Sequence, residues 1–150
     1  MGLFDAHFIE FLQLLAKHQV KYLLVGGHAV NLHGYPRTTG DMDIWVEPTN
    51  ENANALVAAI DEYGFDASPI LEADFSKVVI FDVGEAPAHI EVMNHVSGVK
   101  FNEAFAEKRI MQVEGVKVNV IHLNHLLQNK KASGRYRDLD DLEHLLKIRE

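Results

Sequence analysis

The chain has 150 residues, 47% of them hydrophobic and 24% charged, which suits one globular domain with its own core and no segment long enough to span a membrane. Its net charge of −8 disfavours binding of nucleic acid through backbone electrostatics alone, although a nucleotide can bind where metal ions screen the charge. Cysteine is absent, which excludes disulfides and thiolate metal sites and fits the reducing cytoplasm, where we expect the protein.

Apolar spacing and glycine positions predict the elements of the first half of the chain. Phe4, Phe8 and Phe11 recur at helical spacing and indicate an amphipathic helix. Gly26 and Gly27 end a short buried strand and open a short helix. The predicted order is helix 4–18, strand 21–25, helix 28–33, strand 41–46, and a helix that starts after the N-cap Thr49 and stops at Gly64.

The second half predicts two hairpins and two closing helices. Strands 77–83 and 89–94 flank a turn at residues 84–87, and strands 110–113 and 116–121 flank Glu114-Gly115. Helices are expected at 102–108, 122–131 and 135–149, the last with a buried stripe of Leu139, Leu142 and Leu146. Because hairpins outnumber strict βαβ units, we expect an α/β (α+β) fold in which helices pack on one mixed sheet, in a single domain.

Two aspartates begin the second strand, where carboxylates are unfavourable. Alternate strand residues share a face, so Asp41 and Asp43 point the same way while Met42 and Ile44 point into the core. Divalent cations such as Mg²⁺ take oxygen ligands, usually one or two carboxylates together with substrate phosphates. A bound dication would let the two like charges tolerate each other. The alternative is a solvated pair of acids on an edge strand.

The residues before the aspartates suit a phosphate group. Gly26 and Gly27 allow close approach of backbone to a ligand, and a glycine turn that opens a helix presents free N–H groups to an anion. Arg37 can make a forked contact to a phosphate, and Thr39 can bond a phosphate oxygen or fix the turn. Trp45 can stack on a base or pack in the core.

The combination Gly26-Gly27 and Arg37-x-Thr39-x-Asp41-x-Asp43 resembles the signature of the nucleotidyltransferase (DNA polymerase β-like) superfamily. The form GGHAVNLHG…RTTGDMDIWV is similar to small stand-alone bacterial nucleotidyltransferases related to AbiEii-type toxins. HIEVMNHVSGVKFNEAF resembles the segment with the third carboxylate, and NKKASGRYRDLDDLEHL resembles the closing helices.

This resemblance implies a role for each of several residues. Gly26 and Gly27 would hold the triphosphate, Asp41 and Asp43 would bind the metals, and Glu91 would be the third acidic ligand and the base that activates the acceptor. Aspartate is more common at the position of Glu91; Asp82 ranks second for that role. Arg37, Thr39 and Lys130 would complete the nucleotide site.

The activity implied is Mg²⁺-dependent transfer of an NMP group from an NTP to a hydroxyl, with two ions and with Mn²⁺ as the alternative metal. The acceptor class stays open between a protein, a tRNA end and a small molecule, and the resemblance points to a cognate toxin or antitoxin partner. Two rival hypotheses remain. One is a non-catalytic nucleotide-binding or antitoxin-type module that keeps the fold; the other is a structural domain whose aspartates are merely solvated.

Overall fold

The computed structural model describes residues 4–85 and 88–149. These form seven helices and six strands within the described ranges. In chain order they are α1 (Ala6–Lys17), β1 (Tyr22–Val25), α2 (Gly26–Leu32), β2 (Met42–Val46), α3 (Asn50–Tyr63), α4 (Ser68–Leu71), β3 (Ile80–Val83), β4 (Ile90–Met93), α5 (Phe101–Ala106), β5 (Arg109–Val113), β6 (Val116–Val120), α6 (Leu123–Ser133) and α7 (Tyr136–Arg149).

The strands form one mixed sheet, as the sequence predicted, and their order in it is β3-β4-β2-β1-β6-β5. β2 runs parallel to β4, and β1 runs parallel to β6, while the remaining neighbours are antiparallel. The two hairpins, β3–β4 and β5–β6, therefore form the two outer parts of the sheet. β1 and β2 lie in the centre, which places the glycine pair and the aspartate pair beside each other.

Local signals in the sequence set the helix ends. Asp5 caps α1 by accepting a hydrogen bond from the backbone N–H of His7, and Thr49 caps α3 in the same way through Asn52. Gly64 ends α3 with a φ of 96°, in the left-handed region that favours glycine. The short helix α4 was not predicted, and Ala86 and Pro87 of the predicted turn lie outside the described residues.

The buried stripe predicted for α7 is partly wrong. Leu139 is 47% exposed, while Leu142 and Leu146 are only partly buried against the core. The fully buried positions are instead Leu145 and, unusually, Asp141, with Asp138 1% exposed. Positions 138, 141 and 145 share one helix face, so that face presents two carboxylates to the interior of the protein.

The core lies between the sheet and the helices. Met42, Ile44 and Leu56 are completely buried, as are Phe11 and Leu24. No helix in the described part of the chain is long and apolar enough to cross a membrane.

Candidate active site

Acidic side chains line up across three neighbouring strands. Asp43 on β2 is paired in register with Glu91 on β4, and Glu91 is paired with Asp82 on β3. On the other side, Asp43 is paired with Val25, the residue that directly precedes Gly26. Glu91, predicted as the third carboxylate, therefore lies beside Asp43, and Asp82 lies one strand further out.

Position 26 must be a glycine because its backbone packs closely against Asp43. Its φ is 68°, and a Cβ at this position would overlap the Asp43 carboxylate. Gly27 is constrained as well, because a Cβ there would overlap the hydroxyl of Thr39 and lie 3.3 Å from Nη1 of Arg37. The glycine pair thus lets the start of α2 lie directly against the side chains of Arg37, Thr39 and Asp43.

Asp43, Glu91 and Asp82 form an acidic row across the three strands, and nearby positive groups do not fully neutralise its charge. Burial, together with the nearby charges of Glu91 and Asp41, raises the pKa of Asp43 to about 7, against the opposing effect of Lys130 and Arg135. The pKa of Glu91 is raised by burial and then by the charges of Asp82 and Asp41. A carboxylate with a pKa near neutrality is a frequent sign of a functional site.

The carboxylate oxygens of the site fit a hard dication that completes its coordination with oxygens of a substrate. Within residues 4–85 and 88–149, no three histidine or acidic side chains converge closely enough to hold a metal ion on their own. Mg²⁺ commonly uses one or two carboxylates together with phosphate oxygens and water. Asp41, Asp43 and Glu91 supply oxygen ligands only, and a cation would relieve the repulsion that raises the pKa of Asp43.

The basic residues of the site, of which Arg37 and Lys130 are mostly buried and Arg135 is exposed, form a network with two buried aspartates of α7. Nε and Nη2 of Arg37 donate to the two carboxylate oxygens of Asp141 at 2.6 and 2.8 Å. Nζ of Lys130 lies 3.0 Å from Asp141 and 3.2 Å from Asp138, and Arg135 donates to Asp138 at 2.8 Å. The fork of Arg37 that was predicted for a phosphate is therefore made to a carboxylate.

The two aspartates of this network are stabilised as anions. Burial alone would raise the pKa of Asp141, but the hydrogen bonds from Arg37 and Lys130 outweigh burial and hold its pKa below the usual value. Burial would also raise the pKa of Asp138, but the contacts with Arg135 and Lys130 outweigh burial and lower it. Sequence reasoning missed both residues; the available signal was their shared helix face with Leu145.

The cavity of about 560 Å³ brings most of the predicted residues together. One part of the lining carries the glycines and residues of the Arg37–Asp43 segment, and another part carries residues from α6 and the start of α7. Apolar residues of β3 and β4, together with Val78 just before β3, form an apolar wall. The lining includes Gly26, Gly27, Arg37, Thr39, Asp41, Asp43, Glu91, Lys130, Arg135 and Arg137, and on the apolar wall Val78, Ile80 and Met93. Trp45 is instead packed in the core, edge-on to Phe101.

Comparison with known proteins agrees with this arrangement. A protein-family model described as "Nucleotidyl transferase of unknown function (DUF2204)" matches residues 5–150. No curated protein matches the chain in sequence.

Solved structures with a similar fold include three nucleotidyltransferase-type proteins. A proposed nucleotidyltransferase from Thermotoga maritima is 18% identical, with a TM-score of 0.63 over 93% of this chain and 90% of that chain. The lincosamide antibiotic adenylyltransferase LnuA, solved with lincomycin bound, is 14% identical, with a TM-score of 0.62 over 99% of both chains. The antibiotic-resistance factor ANT(2″)-Ia is 9% identical, with a TM-score of 0.62 over 96% of this chain and 83% of that chain. At these identities the likeness shows the fold.

Proposed function

Because the chain belongs to this nucleotidyl transferase family, we propose that it transfers an NMP group from an NTP to an acceptor hydroxyl and releases pyrophosphate. The observation that carries the proposal is the raised pKa of Asp43, whose carboxylate lies against Gly26 and beside Glu91. A site built only for stability would pair such a carboxylate with a cation. Here the arrangement leaves room for a charged ligand.

The residues divide the work of the reaction between them. Gly26 and Gly27 bring backbone N–H groups close to the triphosphate, and Thr39 lies beside them as a hydroxyl donor. Asp41, Asp43 and Glu91 would hold Mg²⁺, or Mn²⁺ in its place, which supplies charge neutralisation and polarises phosphate oxygens when bound. The binding of two ions remains a prediction.

Glu91 is the base that we propose for the acceptor. The acceptor oxygen forms a bond to the α-phosphorus, the bond from that phosphorus to the oxygen bridging to the β-phosphate breaks, and pyrophosphate leaves with the electron pair. The proton of the hydroxyl passes to the Glu91 carboxylate. The strand register places Glu91 directly beside Asp43, so it lies next to the proposed metal ligands where the acceptor would react.

The cationic network would stabilise the negative charge of the phosphates. Arg37 and Lys130 are held in fixed positions by Asp141 and Asp138, so their charge is offered to the cavity without a loss of side-chain freedom on binding. Arg135 and Arg137 lie on the same cavity at a more exposed position. Contacts from these four residues to a phosphate remain predictions.

The experiment is a calorimetric titration of the four NTPs into the protein, with Mg²⁺ or with EDTA. Wild type, Asp41→Ala and Glu91→Gln are compared, with Asp61→Ala, an exposed aspartate on α3, as the matched control. We expect Mg²⁺-dependent binding that is lost in Asp41→Ala and kept in Asp61→Ala. Labelled NTP of the preferred base then identifies the acceptor, whose labelling Glu91→Gln should stop.

A non-catalytic nucleotide-binding or antitoxin-type module is the second candidate. The observation that favours it is the glutamate at position 91 together with the absence of a closed metal cluster among the described residues. Mg²⁺-NTP binding without transfer to protein, tRNA or small molecules would support this candidate. The kinship with AbiEii-type toxins, a toxin or antitoxin partner and the cytoplasmic location remain predictions from the sequence.

A further inference from the structure

Apolar side chains lie exposed at the edge of the sheet next to the acidic row. Val78 is 64% exposed and Ile80 is 59% exposed, and both line the cavity of the candidate site together with Met93. Exposed apolar residues on an edge strand invite aggregation, and stable proteins usually avoid them. Their position on the wall of a charged cavity suggests that they contact a ligand.

The strand register places an apolar row directly beside the acidic row. Ile80 is paired with Met93, and Met93 is paired with Trp45, while two positions along the strands Glu91 is paired with Asp82. Alternate residues share a face of the sheet, and the two rows are therefore roughly 6.6 Å apart. A molecule with an apolar part on Ile80 and Met93 would reach Glu91 with an adjacent polar group.

The geometry of nucleotidyl transfer assigns this molecule a role, which rests on the function proposed above. The attacking oxygen and the departing pyrophosphate lie on opposite sides of the phosphorus in an in-line displacement. If the triphosphate lies by Gly26 on the β1 side of Asp43, the acceptor approaches from the β4 side, across Glu91. The apolar wall on β3 and β4 is therefore on the acceptor side of the reaction.

The charge at this edge selects the kind of acceptor. Asp82 is exposed, makes no ion pair within the described part of the chain, and is paired in register with Glu91. The arginine and lysine residues that line the cavity come from the segment before β2 and from α6 and α7, and not from β3 or β4. With a net charge of −8 on the whole chain, this edge repels a polyanion and attracts a cation.

We propose that the acceptor is an amphipathic small-molecule alcohol with a positively charged group. Its apolar part packs on Val78, Ile80 and Met93, its charged group lies near Asp82, and its hydroxyl reaches Glu91.

A simple probe with these three features is L-phenylalaninol, which carries an ammonium group, a hydroxyl and a phenyl ring. N-acetyl-phenylalaninol removes the charge, and alaninol removes the ring. Binding is followed by the NMR shifts of the methyl groups of Val78, Ile80 and Met93, with Mg²⁺ and a non-transferable α,β-methylene NTP present. For a probe of this size we expect a Kd of about 1–10 mM. Both control compounds should bind at least about threefold more weakly.

Two substitutions test the wall, each with a matched control. Ile80→Ser and Asp82→Asn should each weaken binding of phenylalaninol at least about threefold, and Asp82→Asn should leave the neutral N-acetyl compound unaffected. Ile110→Ser is the control for Ile80, because Ile110 is 60% exposed on β5, the opposite edge of the sheet. Asp61→Asn is the control for Asp82. Both controls should bind the probe as wild type does.

The outcomes separate this inference from the proposed function. Absence of Mg²⁺-NTP binding to the wild-type protein would overturn the proposed function and this inference with it. Normal Mg²⁺-NTP binding with no shifts from phenylalaninol, or with equal binding of the charged and neutral probes, overturns only the acceptor assignment. Transfer of labelled NMP to tRNA or to a protein, undiminished in Ile80→Ser, overturns it as well.

Discussion

Asp43 on β2 is partly buried and Asp141 on α7 is fully buried, yet the pKa values of their carboxylates are shifted in opposite directions. Asp141 accepts two hydrogen bonds from Arg37 and one contact from Lys130, and its pKa is lowered. Asp43 lies beside Glu91, is in no ion pair among the described residues, and has a pKa raised to about 7. Burial alone therefore does not identify a functional acid; the difference lies in whether the protein itself supplies the counter-charge.

The largest effect expected on stability comes from removing the satisfied carboxylate. Asp141→Ala leaves Arg37 and Lys130 without their shared partner, and breaking a buried ion pair from one side costs about 3–5 kcal/mol of unfolding free energy. Urea denaturation measures this loss. Asp140→Ala, at the neighbouring exposed position of α7, should cost less than about 1 kcal/mol. Equal losses in the two variants would show that the network has no special weight.

Removing the unsatisfied carboxylate should affect activity more than stability. Asp43→Asn is expected to lower nucleotidyl transfer by at least roughly 100-fold, because the negative charge proposed to hold the dication is lost. Circular dichroism should show a folded protein, and a labelled-NTP assay measures the rate. A variant with wild-type activity would contradict the assignment of Asp43, whatever the state of Asp141.

The pH dependence of stability distinguishes the two aspartates further. The folded-state pKa of Asp43, about 7, exceeds its ordinary value of 3.8, so ionisation destabilises the metal-free fold as the pH rises between those values. Asp43→Asn should therefore be more stable than wild type at pH 8, by at most a few kcal/mol, with no such gain at pH 4. Thermal unfolding in EDTA measures the difference. Added Mg²⁺ should raise the Tm of wild type at pH 8 and leave Asp43→Asn nearly unchanged.

The smallest expected effect concerns the glycine that packs on Asp43. Gly26→Ala places a side chain at a φ of 68° and against the Asp43 carboxylate, which should cost about 1–2 kcal/mol of stability. Gly115→Ala is the control, since Gly115 has a φ of 83° but open space around it. The backbone strain is common to both, so weaker Mg²⁺-NTP binding in Gly26→Ala alone is due to the methyl group added beside Asp43 and the proposed triphosphate position, and not to strain.

The same contrast explains what could be predicted from the sequence. Gly26, Gly27, Asp41 and Asp43 lie within a short segment, and their pattern of turn and alternating strand residues is local. The mixed sheet followed from hairpins and apolar runs. Glu91 was placed by resemblance, and the register confirms that it lies beside Asp43, though not its role.

Asp138 and Asp141 could not be found in this way. On a helix rich in charges, aspartates three residues apart are read as a solvated face, and only the approach of Arg37 and Lys130 from other elements makes their burial stable. The leucine stripe was therefore assigned to Leu139, which proved to be exposed. The shared helix face with Leu145 shows that these positions could be buried, but nothing in the sequence around them identifies Arg37 and Lys130 as the partners that make burial stable.

The contact between Arg37 and Asp141 joins residues 104 positions apart in the chain. During synthesis on a ribosome, the glycine turn and the aspartate strand emerge long before α7 exists. The growing chain can pair its central strands early, but Arg37 lacks its carboxylate partner until residue 141 has been added and α7 has docked. The order of synthesis thus delays the ordering of the candidate site in the nascent chain, and a ribosome stalled before α7 would carry an unfinished one.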